Sequence, residues 1–229
     1  MSLLEPSPAL TLQDYLAIEE RTGVRHEWVN GAAYAMSGGS AEHSAIKTNL
    51  TGAMVARLKG GPCRAADSDQ RVHVLATGSS FYADLVVVCG QYAFASEDPQ
   101  AVTNPTVLVE VLSGSTEDYD RATDYRDSSP SGRRRSLRSL PRLRRGWTSA
   151  SAAPLGRVQH YRRIDTLRAY VLVSQDEQRV EIRERVEGGW LVREVLEGEL
   201  AIPSLGVSVP FEELYDVSGI RDGVIPKAT

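Results

Sequence analysis

Two carboxylates, Asp84 and Glu110, stand where the sequence is otherwise apolar. Asp84 directly precedes the run LVVVC, and Glu110 lies in the middle of the run TVLVEVL. Burying an unpaired carboxylate is costly, so such residues pair with a cation, accept backbone hydrogen bonds or bind a metal. Two of them on neighbouring strands predict oxygen ligands for a hard divalent cation such as Mg²⁺ or Mn²⁺. The alternative is that each is a satisfied structural carboxylate.

The elements that position these carboxylates are predicted from the hydrophobic pattern. Continuous apolar runs at 85–89, 106–112 and 169–174 are typical of strands covered on both faces. Helices are predicted from Leu10 to Arg21, capped by Thr11, and from Ser40 to Lys59. The remaining predictions are a hairpin at Asn30-Gly31, a half-buried strand at 70–75, an antiparallel pair at 179–185 and 190–196, and a short helix in PFEELY.

Length and composition favour one soluble domain. The chain has 229 residues, of which 41% are apolar, enough for one sizeable core. The sequence contains no run of 18 apolar residues, so no membrane helix is predicted. The N-terminus lacks the basic and apolar regions of a signal peptide. Two cysteines cannot staple a fold of this size, which excludes a disulfide mini-protein, and the lack of a CxxC motif excludes a zinc ribbon or a thioredoxin-type motif. A cytoplasmic location, with a reducing environment, fits this composition.

The charge is distributed unevenly along the chain. Residues 128–164 contain ten arginines and no Lys, Asp or Glu, although the net charge of the whole chain is −4. The rest of the chain therefore carries a net charge of −14. Within this region, residues 128–155 are rich in Ser, Arg, Pro and Gly, a composition that predicts a disordered insertion. It is either a DNA-contacting strip or a non-functional insertion, and its low complexity favours the second interpretation.

Several pieces of the chain together resemble the Uma-two family of bacterial proteins described as endonucleases, a branch of the PD-(D/E)xK nuclease superfamily. The resemblance covers residues 11–121 and 157–215, and its strength lies in the order and spacing of the pieces. They are LTLQDYLAIEE, HEWVNGAAYAMSGGSAEHSAI, SDQRVHV, FYADLVVVCG, NPTVLVEVLSGSTEDYDR, HYRRIDTLRAYVLVSQDEQRVEI and IPSLGVSVPFEELY.

The resemblance implies an α/β (α+β) restriction-endonuclease-like fold, with a mixed central β-sheet flanked by helices. Asp84 and Glu110 match the aspartate and glutamate that hold Mg²⁺ in that superfamily. Glu27 matches the acidic residue before the N-terminal hairpin, and His43 matches the histidine at the start of the following helix. Without the resemblance, Glu27 would be read as a solvated strand residue and His43 as a surface residue. The implied activity is metal-assisted hydrolysis of phosphodiester bonds in DNA.

The sequence departs from the family at its motif lysine. Alignment from the left places Asp124 at the lysine position, whereas alignment from the right places Arg157 there. Arginine can screen a phosphate electrostatically, but it cannot easily release a proton at neutral pH. An aspartate at that position would instead add negative charge beside the metal ligands. The chain's three lysines all lie outside this stretch of sequence.

These observations predict a single domain at 10–215, interrupted by a low-complexity insertion at about 122–156, with flexible termini at 1–9 and 216–229. The first functional hypothesis is a Mg²⁺-dependent DNA endonuclease, a hydrolase whose activity is impaired or lost because the lysine is missing. The alternative is a non-catalytic protein that retains the nuclease fold and binds nucleic acid or a partner. Nucleases of this superfamily often form homodimers to cut both strands, but the sequence contains no interface signature.

Overall fold

A computed structural model describes residues 9–36, 38–113, 120, 156–220 and 224–228. The helices are α1 (Leu12–Thr22), α2 (Ala41–Leu58), α3 (Arg157–Tyr161) and α4 (Phe211–Leu214). The strands are β1 (His26–Val29), β2 (Ala32–Ala35), β3 (Cys63–Asp67), β4 (Arg71–Val74), β5 (Ser79–Tyr82), β6 (Leu85–Cys89), β7 (Val107–Leu112), β8 (Ala169–Ser174), β9 (Val180–Val186), β10 (Gly189–Val195), β11 (Glu199–Ile202) and β12 (Val207–Pro210).

A six-stranded mixed sheet forms the centre of the fold. Its strand order is β10-β9-β8-β7-β6-β3, with β7 and β8 parallel and the other neighbours antiparallel. All residues of β7 and β8 are buried, as their continuous apolar runs predict for strands covered on both faces. A smaller sheet, of order β2-β1-β5-β4, and the β11-β12 hairpin complete the strand architecture.

The two faces of the six-stranded sheet bury two separate apolar clusters. Val107, Val109 and Val111 of β7 pack in the cluster that includes the apolar face of α2. Leu108 and Leu112 pack in the other cluster, which includes residues of the smaller sheet and of α3. Because side chains alternate along a strand, the even-numbered residues of β7 face the smaller sheet and α3.

Local sequence signals explain the N-terminal elements. Thr11 and Asp14 form the reciprocal hydrogen bonds of a capping box at the start of α1, as the predicted cap requires. Asn30 and Gly31 both have positive φ in the turn between β1 and β2, the conformation that an Asn-Gly hairpin turn needs. Ser40 caps α2 through the backbone amide of His43.

The sequence analysis missed β3 and the pairing of the two cysteines. Cys63 of β3 lies opposite Cys89 of β6 in the antiparallel register, and the two form a disulfide. This finding differs from what the predicted reducing compartment favours, because structural disulfides are rare in the cytosol. The cytoplasmic location remains a prediction. No helix in the described ranges is long and apolar enough to cross a membrane.

The structure also differs from the expectation of a flexible C-terminus at 216–229. Val217 and Ile225 are buried in the main apolar cluster, and Gln178 forms backbone and side-chain hydrogen bonds with Pro226 and Ile225. The predicted insertion at 122–156 lies outside the described residues except for Gly156, and so does the N-terminal leader except for Ala9.

The hairpin turn provides a test of how closely the N-terminal segment packs. A Cβ atom at Gly31 would lie 2.6 Å from the Cβ of Ala9, whereas one at Gly78, which also has positive φ, would meet no atom within 4 Å. Left-handed backbone costs a non-glycine residue about 1–2 kcal/mol. We therefore expect Gly31→Ala to reduce the free energy of unfolding by about 1 kcal/mol more than Gly78→Ala. Urea denaturation measures both, and equal losses would show that Ala9 does not pack closely against the turn.

Candidate active site

The register of the central sheet brings Asp84 and Glu110 together. Leu85 of β6 lies opposite Val109 of β7, and the same register, continued one residue beyond the start of β6, sets Asp84 opposite Glu110. Directly opposed residues project their side chains from the same face of a sheet, with Cβ atoms about 5 Å apart. Both residues line one pocket of about 440 Å³. Neighbouring strands, rather than closeness in sequence, therefore place the two carboxylates at one site.

Asp84 is oriented by the strand beside it and approached by the N-terminal part of α2. Its Oδ2 accepts a hydrogen bond of 2.8 Å from the backbone amide of Val111. His43 Nε2 lies 3.4 Å from the same oxygen, and Lys47 Nζ lies 3.9 Å from Oδ1. His43 and Lys47 are four residues apart, so they share one face of the helix. Asp84 is thus fixed by a backbone donor and faced by two side chains that can carry positive charge.

Glu110 and Glu27 reach the pocket from different sheets. Glu110 lies inside β7 with 3% of its surface exposed, and Glu27 lies on β1 with 7% exposed. Glu27 is therefore a buried residue and not the solvated strand residue that its local sequence suggests. Its side chain lines the same pocket as Asp84 and Glu110. Burial of these acids requires compensating partners, because an isolated buried carboxylate is costly.

Arg157 supplies that compensation from the first residue of α3. Its Nη1 lies 2.8 Å from Glu110 Oε2 and 2.9 Å from Asp120 Oδ1, and its Nη2 donates a hydrogen bond to Glu27 Oε1. The guanidinium is a planar fork of donors that suits contacts with several carboxylates at once. Arg157, with 7% of its surface exposed, therefore lies among three buried acids.

Tyr161 completes the partners of Glu110. It lies four residues after Arg157, on the same short helix, and its hydroxyl donates a 3.2 Å hydrogen bond to Glu110 Oε1. Its ring packs edge-on against Phe81 and Tyr170. Each oxygen of Glu110 thus has a partner from α3, one charged and one neutral.

The shared burial shifts the proton equilibria of the cluster. Burial raises the pKa of Glu110 well above its ordinary value, and Arg157 opposes this shift. The neighbouring carboxylate of Asp120 raises the pKa of Glu110 further. Burial likewise raises the pKa of Glu27, again with Arg157 opposing. Burial alone lowers the pKa of Arg157, but the surrounding carboxylates raise it well above its ordinary value.

The structure brings the residues named from the sequence into one pocket. Its lining includes the residues Glu27, His43, Asp84, Glu110 and Arg157. Their catalytic and metal-binding roles remain predictions. The position of Arg157 agrees with the alignment of the motif lysine from the right, whereas Asp124 lies outside the described residues.

Three further residues of the site were not identified from the sequence. Asp120 is 1% exposed and contacts Arg157. No local pattern pairs these two residues, because the Arg/Ser-rich stretch separates them in the sequence. Tyr161 stands in the matched piece that begins HYRRID, where nothing in the local sequence marks it as a residue of the site. Lys47 is remote in sequence from the motif position but lies near Asp84 in space. Its spacing of four residues from His43 was the available signal.

The ligand atoms that the pocket offers can be compared with those that Mg²⁺ prefers. Asp84 and Glu110 offer carboxylate oxygens, the ligand type that Mg²⁺ prefers, on one sheet face at an open pocket. Each carboxylate oxygen has two acceptor positions, so the existing contacts of Glu110 do not use all of its capacity. Within the described ranges, however, no three His, Cys, Asp or Glu side chains are grouped closely enough to hold a metal ion. The residues fit Mg²⁺ in chemistry, with Arg157 as a neighbouring cation.

The mixed sheet flanked by helices is that of a restriction-endonuclease-like fold, with Asp84 and Glu110 in one pocket. A family model named Uma2, described as "Putative restriction endonuclease", matches residues 12–212. Since this match spans most of the chain, the protein belongs to the Uma2 family. The expected fold and family are thereby confirmed.

Individual relatives agree with this assignment. An uncharacterised protein of Synechocystis, slr1290, is 39% identical over 121 residues, which cover 53% of this chain and 63% of that protein. A second Synechocystis protein, sll1609, is 25% identical over 197 residues, which cover 86% of this chain and 93% of that protein. This chain thus covers less than two thirds of the first relative's length and nearly all of the second's.

A solved structure shares the fold. It is the crystal structure of a protein from Anabaena variabilis described as a putative nuclease belonging to DUF820. The TM-score is 0.60 at 15% sequence identity, and the superposition covers 90% of this chain and 97% of that one. At this identity the likeness concerns the fold and not the chemistry of the site.

The hydrogen bond from Tyr161 to Glu110 can be tested by comparing Tyr161 with the neighbouring Tyr170. Tyr170 is equally buried, but its hydroxyl has no hydrogen-bond partner in the described part of the chain. Tyr161→Phe removes a donor to the buried Glu110 and should lower the free energy of unfolding by about 1–2 kcal/mol. Tyr170→Phe should change it by less than about 0.5 kcal/mol. Chemical denaturation of both variants measures the difference, and losses of equal size would argue against the Tyr161–Glu110 hydrogen bond.

Proposed function

We propose that the protein is a DNA endonuclease that hydrolyses phosphodiester bonds with Mg²⁺ or Mn²⁺ at Asp84 and Glu110. The observation that carries this proposal is that Asp84, directly before β6, and Glu110 of β7 line the same pocket. Family membership supports the class of reaction, because the family description is that of a restriction endonuclease. Hard oxygen ligands at the base of a pocket suit a cation that contacts a phosphate.

In this proposal, Asp84 and Glu110 would hold the cation, and the backbone amide of Val111 keeps Asp84 in place. A bound divalent cation would polarise the scissile phosphate and lower the pKa of a water molecule. Arg157 supplies positive charge beside the acids and can pair with a phosphate through its fork of donors. It is not suited to accept a proton, because a guanidinium stays charged.

Proton transfer would then depend on another group at the pocket. His43 lines the pocket beside Asp84, and an imidazole within reach of a water molecule can act as an acid or a base. Lys47 approaches Asp84 from the next turn of the same helix. We therefore assign His43 to proton transfer and Lys47 to electrostatic support. Because an arginine stands where the family resemblance implies a lysine, we expect the activity of the enzyme to be impaired.

Cleavage of supercoiled plasmid DNA in Mg²⁺ or Mn²⁺ tests this function. We expect slow nicking that Asp84→Asn and Glu110→Gln each reduce at least about 100-fold, since each removes a charged oxygen ligand. Leu75→Ala, a change at an exposed residue outside the pocket lining, serves as the control and should cut as the wild type does. Cleavage that persists unchanged in Asp84→Asn would overturn the assignment of the site. Linear product in the same assay would indicate that both strands are cut, as a homodimer would do.

Arg157, which stands at the position of the family's motif lysine, gives a second test of the same function. Arg157→Lys restores the residue type that the family resemblance implies, with one compact charge that can release a proton when buried. We expect the cleavage rate to rise at least about tenfold. A fall in rate, with the fold retained by circular dichroism, would indicate that the guanidinium itself is needed.

A non-catalytic protein that binds nucleic acid is the second candidate. The observation in its favour is that Arg157 already contacts Glu27, Glu110 and Asp120, which opposes binding of a catalytic cation. Retention of plasmid DNA without any cleavage, in either metal and with all site variants, would favour this candidate over the enzyme.

A further inference from the structure

Arg157 supplies the positive charge that faces the buried acids of the pocket. Its Nη1 contacts Glu110 and Asp120, and its Nη2 contacts Glu27. A divalent cation at the proposed site would share Glu110 with the guanidinium. The two cations therefore act on the same acidic cluster.

We propose that Arg157 is a built-in competitor of the catalytic cation, so that the protein binds Mg²⁺ weakly because of this one side chain. The inference rests on the proposed function and adds a control of metal affinity to the same site. Arg157 lies 2.8 Å from Glu110 Oε2, so a metal at that carboxylate meets a like charge close by. Repulsion between like charges is strong in such a poorly solvated position.

Geometry makes the competition specific to this arginine. Arg157 is the first residue of α3, and Tyr161 of the same helix binds the other oxygen of Glu110. The helix therefore fixes the guanidinium against Glu110. A long side chain on a solvated surface could swing away at little cost, but the buried contacts of Arg157 must be broken first.

A second buried arginine provides a matched control. Arg71 lies between the carboxylates of Glu19 and Asp98 and beside the hydroxyl of Tyr82. It has 8% of its surface exposed, against 7% for Arg157. Arg71 does not line the pocket that contains Asp84 and Glu110. Replacing it removes the same kind of contact from a different acidic pair.

Calorimetric titration with Mg²⁺ alone tests the proposal on the full chain. Arg157→Met keeps an unbranched, flexible stem but removes the guanidinium group and its charge. We expect the dissociation constant for Mg²⁺ to fall at least about tenfold in this variant, and to remain unchanged in Arg71→Met. Adding Asp84→Asn to Arg157→Met should abolish the gain. An affinity equal to or weaker than that of the wild type in Arg157→Met would overturn the proposal.

Thermal unfolding tests the same competition through the stability of the protein with and without Mg²⁺. Arg157→Met leaves buried carboxylates without their cation, so its Tm should be lower than that of the wild type in EDTA. Mg²⁺ should then raise the Tm of Arg157→Met by more than it raises that of the wild type. If Arg157→Met does not fold in EDTA, refolding in Mg²⁺ supports the proposal, and failure to refold there overturns it.

Neither measurement involves cleavage, so the two proposals can fail separately. If Arg157→Met binds Mg²⁺ tightly but the wild-type protein leaves plasmid DNA intact in saturating Mg²⁺, the nuclease function is overturned and the competition is supported. A protein that cuts DNA with Mg²⁺ while Arg157→Met leaves the metal affinity unchanged would do the reverse.

Discussion

The contacts of Arg157 are the interaction on which the site depends. One guanidinium joins Glu27 of the smaller sheet, Glu110 of the central sheet and Asp120, and it does so from the first residue of α3. Because these acids are buried, removing the arginine would leave charges without compensation, a change that usually costs several kcal/mol. The same ion pairs that give the cluster its shape therefore connect elements far apart in the sequence.

The central sheet supplies the other constraint. Strand alternation directs Val107, Val109 and Val111 towards α2 and leaves Glu110 on the face shared with the smaller sheet and α3. The antiparallel register then sets Asp84 opposite that residue. A shift of β7 by one residue would turn Glu110 towards the apolar cluster under α2, so burial of the valines fixes the position of Glu110 as firmly as it fixes the fold.

The sequence predicts local elements well and long-range contacts unevenly. Asn30-Gly31 specifies its turn through backbone conformation, and Glu110 is conspicuous because it interrupts an apolar strand. The pairing of Cys63 with Cys89 depends on the register of β3, a strand whose sequence has no clear alternation. Lys47 of α2 approaches Asp84 from a different element of the chain. Such contacts depend on packing between elements, which no local pattern encodes.

The arginine also bears on the proposed chemistry of the site, because the family resemblance implies a lysine at its position. A lysine places a single compact charge near the carboxylates and can give up its proton when buried, whereas a guanidinium makes several directed contacts and stays charged. Contacts with three acids hold α3 against the sheet directly after the segment that departs from the family pattern. Stability gained at a site in this way commonly reduces activity, because catalytic groups must remain available to substrate and cation. The geometry of Arg157 is thus better suited to holding α3 against the sheet than to the proton transfer that the proposed hydrolysis needs.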